Sequence, residues 1–294
     1  MALAGLYLPQ IRMDLDTICA RADAAAEGGF DSVWFMDHLA TPADRSLPCL
    51  EGWTVATAVA VRTLGSSLRI GHLVLDNELR HPALLAKMAA TLDVLSGGRL
   101  ELGLGWGSVE SELVDFGFGS LGPRARSDRL GETLTILSLL WSGEPVSFSG
   151  SWWALNDAVC LPTPVHGRVP VHIGGAGERL TMPLVRDHAD WWNCPSYGLD
   201  RFDSLRRLAG SARVSVQHPI ALAPSSADRD EVVATAQRRF GSWGGLVAGT
   251  PDEVVAELRK EVDLGVELFI CQFTDFGRPE TIRLFADEVL PALG

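Results

Sequence analysis

An acidic residue and a histidine stand together where a buried strand of the sequence ends. The strand is the apolar segment Asp31 to Met36, and Asp37-His38 follow it directly. Histidine changes its charge near neutral pH, so His38 is a candidate general acid or base. Asp37 would orient this histidine or contact a ligand. A partly buried imidazole with satisfied hydrogen bonds explains the same pattern equally well from the residues alone.

Glycines follow two other apolar strands. The stretch Leu100 to Gly107 carries three glycines, and glycine lets a backbone approach a ligand closely. The run Gly174 to Gly177 follows the strand Val169 to Ile173 and leads into a helix. Because free N–H groups at a helix N-terminus attract anions, we expect any phosphate to bind at this second turn. Ordinary tight turns between a strand and a helix would look the same.

The end of a further strand is also polar. Asp76-Asn77 follow the strand Leu68 to Leu75, and Arg80-His81-Pro82 come next. In a barrel of parallel strands, the residues that do chemistry lie where the strands end. These groups and Asp37-His38 would then share one face.

Strand and helix patterns alternate along the chain, and apolar strands of this kind are typical of a parallel sheet covered by helices. We predict a (β/α)₈ TIM barrel that occupies residues 1–294 as one domain, with a doubly wound sheet as the alternative. Residues 143–168 interrupt the alternation and predict an inserted hairpin or lid with the pair Trp152-Trp153. The eight predicted strands are 4–8, 31–36, 68–75, 100–104, 169–173, 189–193, 213–223 and 266–271.

Composition limits the function classes. The formal net charge of -12 argues against nucleic acid or an anionic membrane as the main partner. No apolar run reaches the ~18 residues of a membrane span, and Met1 to Gln10 lack the pattern of a signal peptide. The five scattered cysteines suit a reducing cytoplasm, and no Cys or His pair has metal-ligand spacing. We expect a cytoplasmic protein that acts on a small molecule and binds no metal.

Several longer motifs resemble those of a known family. They are Gly29 to His38, Arg80 to Lys87, Ser96 to Leu100, Val171 to Arg179 and Ala189 to Asn193. Together they resemble the luciferase-like monooxygenase superfamily and, within it, the oxidoreductases that use the deazaflavin coenzyme F420. The similarity spans nearly the whole chain. It implies a barrel with the cofactor at the C-terminal mouth, hydride transfer between F420 and a small organic substrate, and a homodimer.

The resemblance also implies roles for individual residues. Asp37 and His38 would lie beside the deazaflavin ring, with His38 as proton donor or acceptor. Relatives often carry a non-proline cis peptide bond at the end of the third strand, where residues back the ring. The residues implied to contact the cofactor are Leu75, Asp76 and Asn77 behind the ring, Trp106, Gly107 and Ser111 along it, and Gly175, Ala176 and Gly177 at its phosphate.

One motif departs from the family pattern. The family's Gly-x-Gly-Ala-Gly-Trp is Gly-Leu-Gly-Trp-Gly-Ser here, which places Trp106 at a small residue and Ser108 at the tryptophan. We align Ser108 with the catalytic glutamate of the family's sugar-phosphate dehydrogenases, so that substrate class is not expected. Two alternatives stay open: an FMN-dependent monooxygenase, and a barrel that binds a flavin or deazaflavin without turning it over.

The coenzyme's tail is anionic, whereas the protein is acidic. We expect Arg124, Arg126 and Arg129, which follow the fourth strand, to offset this charge locally. Solvated arginines at the start of a helix are an equally good explanation of the pattern.

Overall fold

The chain folds around one closed sheet in the computed structural model, which describes residues 2–42 and 44–294. The strands are β1 (Leu3–Leu8), β2 (Ser32–Phe35), β3 (Arg69–His72), β4 (Leu75–Asp76), β5 (Leu100–Gly105), β6 (Val146–Ser149), β7 (Ala154–Ala158), β8 (Val171–Gly174), β9 (Trp191–Pro195), β10 (Arg213–Leu222), β11 (Val247–Gly249) and β12 (Leu268–Phe273). Parallel pairing runs in the order β1, β2, β3, β5, β8, β9, β10 and β12. Since β12 pairs back with β1, the sheet is a (β/α)₈ barrel, and the doubly wound alternative is wrong.

Helices connect the barrel strands and cover them. They are α1 (Leu15–Glu27), α2 (Gly52–Arg62), α3 (Pro82–Ser96), α4 (Glu110–Asp115), α5 (Pro123–Leu140), α6 (Thr181–His188), α7 (Phe202–Leu208), α8 (Arg229–Phe240), α9 (Pro251–Leu264) and α10 (Pro279–Glu288). Local signals set several ends. Thr250 and Glu253 form a capping box that starts α9, and Gly97 ends α3 in the left-handed conformation.

Three predicted strands begin two residues later than the sequence pattern indicated. β8 starts at Val171 rather than Val169, β9 starts at Trp191 rather than Ala189, and β12 starts at Leu268 rather than Val266. Asp190 explains the second difference, because its side chain accepts a hydrogen bond from the backbone N–H of Val171 at 2.8 Å. The residue therefore anchors the turn before β9 instead of extending the strand.

A tryptophan fills the middle of the barrel. Trp34 is fully buried, and its ring leaves no room for a side chain at Gly71, where a Cβ would lie 2.5 Å from ring atom Cε3. A side chain at Gly5 is excluded in the same way, because its Cβ would lie 2.6 Å from Nε1 of Trp34. The barrel is thus a packed core, and a ligand can enter only at an end.

Charged groups occupy the N-terminal end of the strands. Glu101 of β5 pairs with Arg69 of β3, and its Oε2 lies 2.8 Å from Nε2 of His172 in β8. Burial alone would raise the pKa of Glu101, but His172 and Arg69 lower it by more. Trp191 stacks on the His172 ring at 5.4 Å. This buried network fills the end opposite the predicted mouth.

The inserted segment is a hairpin. β6 and β7 pair in antiparallel fashion, and the backbone N–H groups of Ser151, Trp152 and Trp153 donate to the Glu132 carboxylate of α5. Arg129 lies over the Trp153 ring at 4.6 Å. Of the two alternatives for residues 143–168, the hairpin is the one found, and it packs outside the barrel.

Within the two described ranges, no helix has both the length and the apolar composition that a membrane crossing needs.

Candidate active site

A cavity of about 660 Å³ opens at the C-terminal ends of the barrel strands. Its volume lies within the range of small-molecule and cofactor sites. Nine of the eleven residues that the sequence assigned to the site line it: Asp37, His38, Leu75, Asp76, Trp106, Gly107, Gly175, Ala176 and Gly177. The barrel therefore brings together residues from four strand ends.

Asn77 and Ser111 do not line this cavity. Asn77 starts a short 3₁₀ turn and is 1% exposed, so its side chain lies inside the protein rather than at the mouth. Ser111 is exposed on α4. Its neighbour Glu112 is buried and faces His38, and successive helical residues point about 100° apart.

The structure adds lining residues that the sequence did not single out. Strand ends and helices that follow them contribute Val74, Thr181, Asn193, Tyr197 and Gln217, and Arg126 of the predicted arginine trio lines the cavity as well. The peptide bond between Leu73 and Val74 is cis, two positions before the ring-backing residues that the resemblance implied. For the cis peptide bond, only the family resemblance gave a signal in the sequence. It implied residues 75–77, whereas the bond lies between Leu73 and Val74.

His38 is held by a carboxylate that is distant in sequence. Its Nδ1 lies 2.8 Å from Oε2 of Glu112, the first buried residue of α4. The other oxygen of Glu112 accepts hydrogen bonds from the backbone N–H groups of Leu39 and Ala40, at 2.8 and 2.9 Å. Because an ionised carboxylate only accepts, Nδ1 of His38 carries the proton. Nε2 of the neutral ring is then an acceptor, and among residues 2–42 and 44–294 it makes no hydrogen bond.

Asp37 does not orient His38. Its two oxygens accept from Nη1 and Nη2 of Arg80 at 2.6 and 2.7 Å, and Oδ2 also accepts from the backbone N–H of Asp76 at 2.9 Å. Such a bidentate pair fixes both side chains and neutralises the buried carboxylate. Asp37 therefore ties the end of β2 to the end of β4, and Glu112 takes the orienting role.

Asp76 is a second ionisable group in the cavity. Burial raises the pKa of its carboxyl to about 6, with Asp37 and Glu78 acting in the same direction. The carboxylate lies against Gly107, where a Cβ would be 2.8 Å from Oδ2. Gly107 also has φ +83°, so a side chain is excluded there on two grounds.

The glycine turn after β8 is placed to receive an anion. Gly175 has φ +125°, and the turn packs on Thr181, whose Oγ1 would lie 3.0 Å from a Cβ at Gly177. In the described part of the chain, the backbone N–H groups of Ala176 and Gly177 have no hydrogen-bond acceptor. N–H groups without an acceptor at such a turn attract phosphate.

Arg126 supplies a positive charge beside this turn. Its guanidinium lies 5.1 Å from the Trp106 ring centroid, and Trp106 donates from Nε1 to Oγ1 of Thr181 at 3.3 Å. Arg126 is 6% exposed, and its Nε has no hydrogen-bond partner among residues 2–42 and 44–294. A buried donor without a partner fits an anionic ligand.

The other two arginines of the expected trio lie elsewhere. Arg129 donates to Glu78 at 2.7 Å and covers the Trp153 ring, away from the cavity. Arg124 is exposed and pairs with Asp128 at 3.0 Å. The expectation therefore holds for the position of Arg126 alone, since one face of α5 turns toward the mouth.

The described residues contain no group of three or more His, Cys, Asp or Glu side chains arranged to hold a metal ion.

Comparison with known proteins places the chain in a family. The model of the luciferase-like monooxygenase family matches residues 3–245. This chain belongs to that family. The family fold has the same closed barrel that the strand pairing shows here.

Individual members of the luciferase-like family give more detail. An F420-dependent glucose-6-phosphate dehydrogenase of Microbacterium testaceum is 28% identical over 92% of this chain and 90% of that protein. The solved structure of an F420-dependent secondary alcohol dehydrogenase, in complex with an F420-acetone adduct, covers 100% of this chain and 99% of its own, with a TM-score of 0.82 and 20% identity.

An FMN-containing member has the same fold. The oxygenating constituent of 3,6-diketocamphane monooxygenase from Pseudomonas putida, in complex with FMN, has a TM-score of 0.79 and 18% identity, and 99% of each chain is covered. At these identities the structural neighbours show the fold. The named relatives are oxidoreductases, which supports an oxidoreductase here.

Proposed function

We propose that this protein is an F420-dependent oxidoreductase that moves a hydride between the deazaflavin coenzyme and a small organic substrate. The named relative with F420-dependent activity aligns over 92% of this chain. The observation that carries the proposal is the cavity itself. It joins an oriented histidine to a glycine turn in which the backbone N–H groups of Ala176 and Gly177 have no acceptor among the described residues.

The residues present fit such a coenzyme. The N–H groups of Ala176 and Gly177, together with Arg126, would hold its phosphodiester, and the segment Val74 to Asp76 would lie behind its ring. When bound, the deazaflavin supplies a carbon centre that accepts or donates a hydride, and the protein supplies orientation and electrostatics.

His38 would move the accompanying proton. Glu112 fixes the ring and holds the proton on Nδ1, so Nε2 can accept a proton from a substrate hydroxyl and return it in the reverse direction. A positioned acid or base of this kind contributes roughly 10²–10⁴ in rate. Glu112 acts through His38 and is a positioning residue.

FMN is the second candidate cofactor. The FMN complex of the diketocamphane enzyme has the same fold, and the phosphate site proposed here would suit FMN as well. The two candidates differ in chemistry, because an FMN monooxygenase consumes oxygen when reduced flavin is supplied.

The test is a parallel titration of the purified protein with F420 and FMN, followed by tryptophan quenching and cofactor fluorescence. Selective binding of F420 supports the proposal, and preference for FMN with oxygen uptake replaces it. Binding of neither cofactor contradicts both.

Variants then test the histidine. We expect His38→Gln to bind F420 within about twofold of the parent and to lose roughly 10²–10⁴ in turnover. His166→Gln, an exposed histidine outside the cavity, is the matched control and should match the parent in both measurements. Full turnover in His38→Gln would remove the proton-transfer role.

The homodimer stays a prediction. Exposed apolar side chains on α2, in the turn after it and on α3 are compatible with one, among them Val61, Leu64, Leu84 and Leu95. Light scattering during size exclusion will give the mass. A monomer at micromolar concentration would contradict the prediction.

A further inference from the structure

We propose that cofactor binding in this cavity is coupled to proton uptake by Asp76. The carboxylate of Asp76 takes a proton from solvent when an anionic cofactor binds at Arg126, and it gives the proton back when the cofactor leaves. The inference rests on the anion site of the proposed function and applies to F420 and to FMN alike.

Asp76 and Arg126 meet at one residue of the cavity wall. Oδ2 of Asp76 lies 2.8 Å from the position of a Cβ at Gly107. Nη1 of Arg126 donates to the backbone oxygen of Gly107 at 3.1 Å. Among residues 2–42 and 44–294, no hydrogen bond joins the two side chains, so they act on one another as opposite charges at short range.

The carboxylate of Asp76 is poorly stabilised by hydrogen bonds. Its Oδ1 accepts from the backbone N–H of Glu78 at 2.9 Å. Within the described ranges, its Oδ2 accepts no hydrogen bond, although the side chain is half-buried. A buried anion that lacks donors tends to become neutral by binding a proton.

The other charged or titratable groups around Asp76 already have partners among the described residues. These pairs are Asp37 with Arg80, Glu78 with Arg129, and His38 with Glu112. In the described lining of the cavity, Arg126 is the only permanently cationic side chain. Arg126 is therefore the cation that balances Asp76.

An anionic cofactor would remove this balance. Without a ligand, the charges of Asp76 and Arg126 sum to zero. Once a phosphate group binds at the glycine turn and pairs with Arg126, two anions share one cation. A carboxylate that loses its counter-charge and gains a like charge has its pKa raised. Protonation of Asp76 then restores neutrality.

The titration range of Asp76 suits this coupling. Burial raises the pKa of its carboxyl to about 6, and Asp37 and Glu78 act in the same direction. Arg126 and the backbone N–H of Glu78 act against them. The carboxyl is therefore mostly ionised at about pH 7 before the cofactor binds. Because a nearby charge shifts a pKa by roughly 1–3 units, a bound anion can make the carboxyl neutral at the same pH.

Protonation also changes what Asp76 offers to the cofactor. An ionised carboxylate only accepts hydrogen bonds, whereas the protonated group can donate one. Oδ2, which has no partner in the described part of the chain, can then donate to an oxygen of the cofactor.

The first experiment measures Kd for F420 and for FMN between about pH 5 and about pH 8, by tryptophan quenching, in the parent and in Asp76→Asn. The asparagine resembles the protonated carboxyl in shape and charge. The ratio of the parent's Kd to that of the variant should be near one at the lower pH and reach about tenfold at the higher, as a one-unit rise in pKa on binding requires. Ionisation of the free cofactor is the same for both proteins and cancels in this ratio.

The second experiment counts the protons directly. Isothermal titration calorimetry is run at about pH 6.5 in two buffers that differ in ionisation enthalpy, such as MES and imidazole. The parent should take up about half a proton more than Asp76→Asn for each cofactor bound.

The matched control is Asp128→Asn. Asp128 is an exposed residue of α5, two positions from Arg126, and it pairs with Arg124 at 3.0 Å. The substitution removes the same charge from the same neighbourhood but no half-buried carboxyl. Its Kd relative to the parent should not change with pH.

The outcomes separate the two proposals. Cofactor binding with a pH-independent ratio between the parent and Asp76→Asn overturns this inference and leaves the proposed function standing. A pH-dependent ratio of equal size for Asp128→Asn also overturns it, because any nearby charge would then suffice. Failure of the parent to bind either cofactor overturns both.

Discussion

Nδ1 of His38 lies 2.8 Å from Oε2 of Glu112, although the two residues are 74 positions apart. The loop after β2 and the start of α4 are joined at this point, because the same carboxylate also accepts from the N–H groups of Leu39 and Ala40. One side chain thus fixes the position of the loop, the rotation of the imidazole and the nitrogen that carries the proton.

Glu112→Gln should impair catalysis without loss of fold. Oε1 of the amide can still accept from the loop, but its NH₂ group would face Nδ1, so the proton of His38 moves to Nε2. The ring then cannot act as a base from the cavity side. We expect kcat to fall by roughly 10²-fold, with F420 affinity unchanged, in steady-state assays across pH.

The control for this variant is Glu110→Gln, two residues earlier on the same helix and exposed. It should leave the pH–rate profile unchanged. A Glu112→Gln profile that keeps its height and shape would show that His38 does not depend on this carboxylate.

Gly107→Ala should weaken cofactor binding. The new methyl group would lie 2.8 Å from Oδ2 of Asp76, at a residue with φ +83°. Gly117→Ala is a matched control, because Gly117 has φ +82° but no atom within 4 Å of a Cβ. Backbone strain of roughly 1 kcal/mol should appear in both variants during denaturation. F420 affinity should fall, by about tenfold or more, only in Gly107→Ala. Equal affinities in the two variants would contradict the close contact.

Asp76 should make the fold less stable as pH rises from about 4 to about 6. Burial raises the pKa of its carboxyl to about 6 from the usual 3.8, so the folded protein keeps a proton that the unfolded chain releases. The stabilisation that this group contributes is fully present at pH values below its pKa in the unfolded chain. It is lost as the pH rises through its pKa in the folded protein. Each pKa unit corresponds to roughly 1.4 kcal/mol. From pH 4 to pH 7, the free energy of unfolding of Asp76→Asn should therefore rise by up to roughly 3 kcal/mol relative to that of the parent. Urea denaturation at both pH values measures this difference, and a constant difference would contradict it.

His72 should act in the opposite direction. It is fully buried and stacks on Trp53 at 5.2 Å, and burial lowers its pKa to about 4. In the folded protein His72 stays neutral, whereas the unfolded chain binds a proton there below about pH 6.5. Stability is therefore lost as pH falls from about 6.5 to about 4. His72→Leu removes the titrating group, and its free energy of unfolding should change less over this range than that of the parent. An identical pH dependence in the two proteins would refute this assignment.

The sequence by itself determined the barrel and most of the mouth. The barrel strands of four to ten residues alternate with helices in the structure, and each such pattern is local, so it can be recognised without knowing the fold. Once strands are parallel and the sheet is closed, their carboxyl ends must meet. Asp37, His38, Asp76 and the glycine turns therefore share one cavity, as the order of the strands implied.

The tertiary structure decided which side chains act on one another. Arg80 rather than solvent satisfies Asp37, Glu112 rather than Asp37 holds His38, and Arg126 alone of three arginines reaches the cavity. A rotation of about 100° per residue separates Ser111 from Glu112 on one helix turn. That rotation depends on how α4 docks against the loop after β2, and such long-range packing leaves no periodic mark in the sequence.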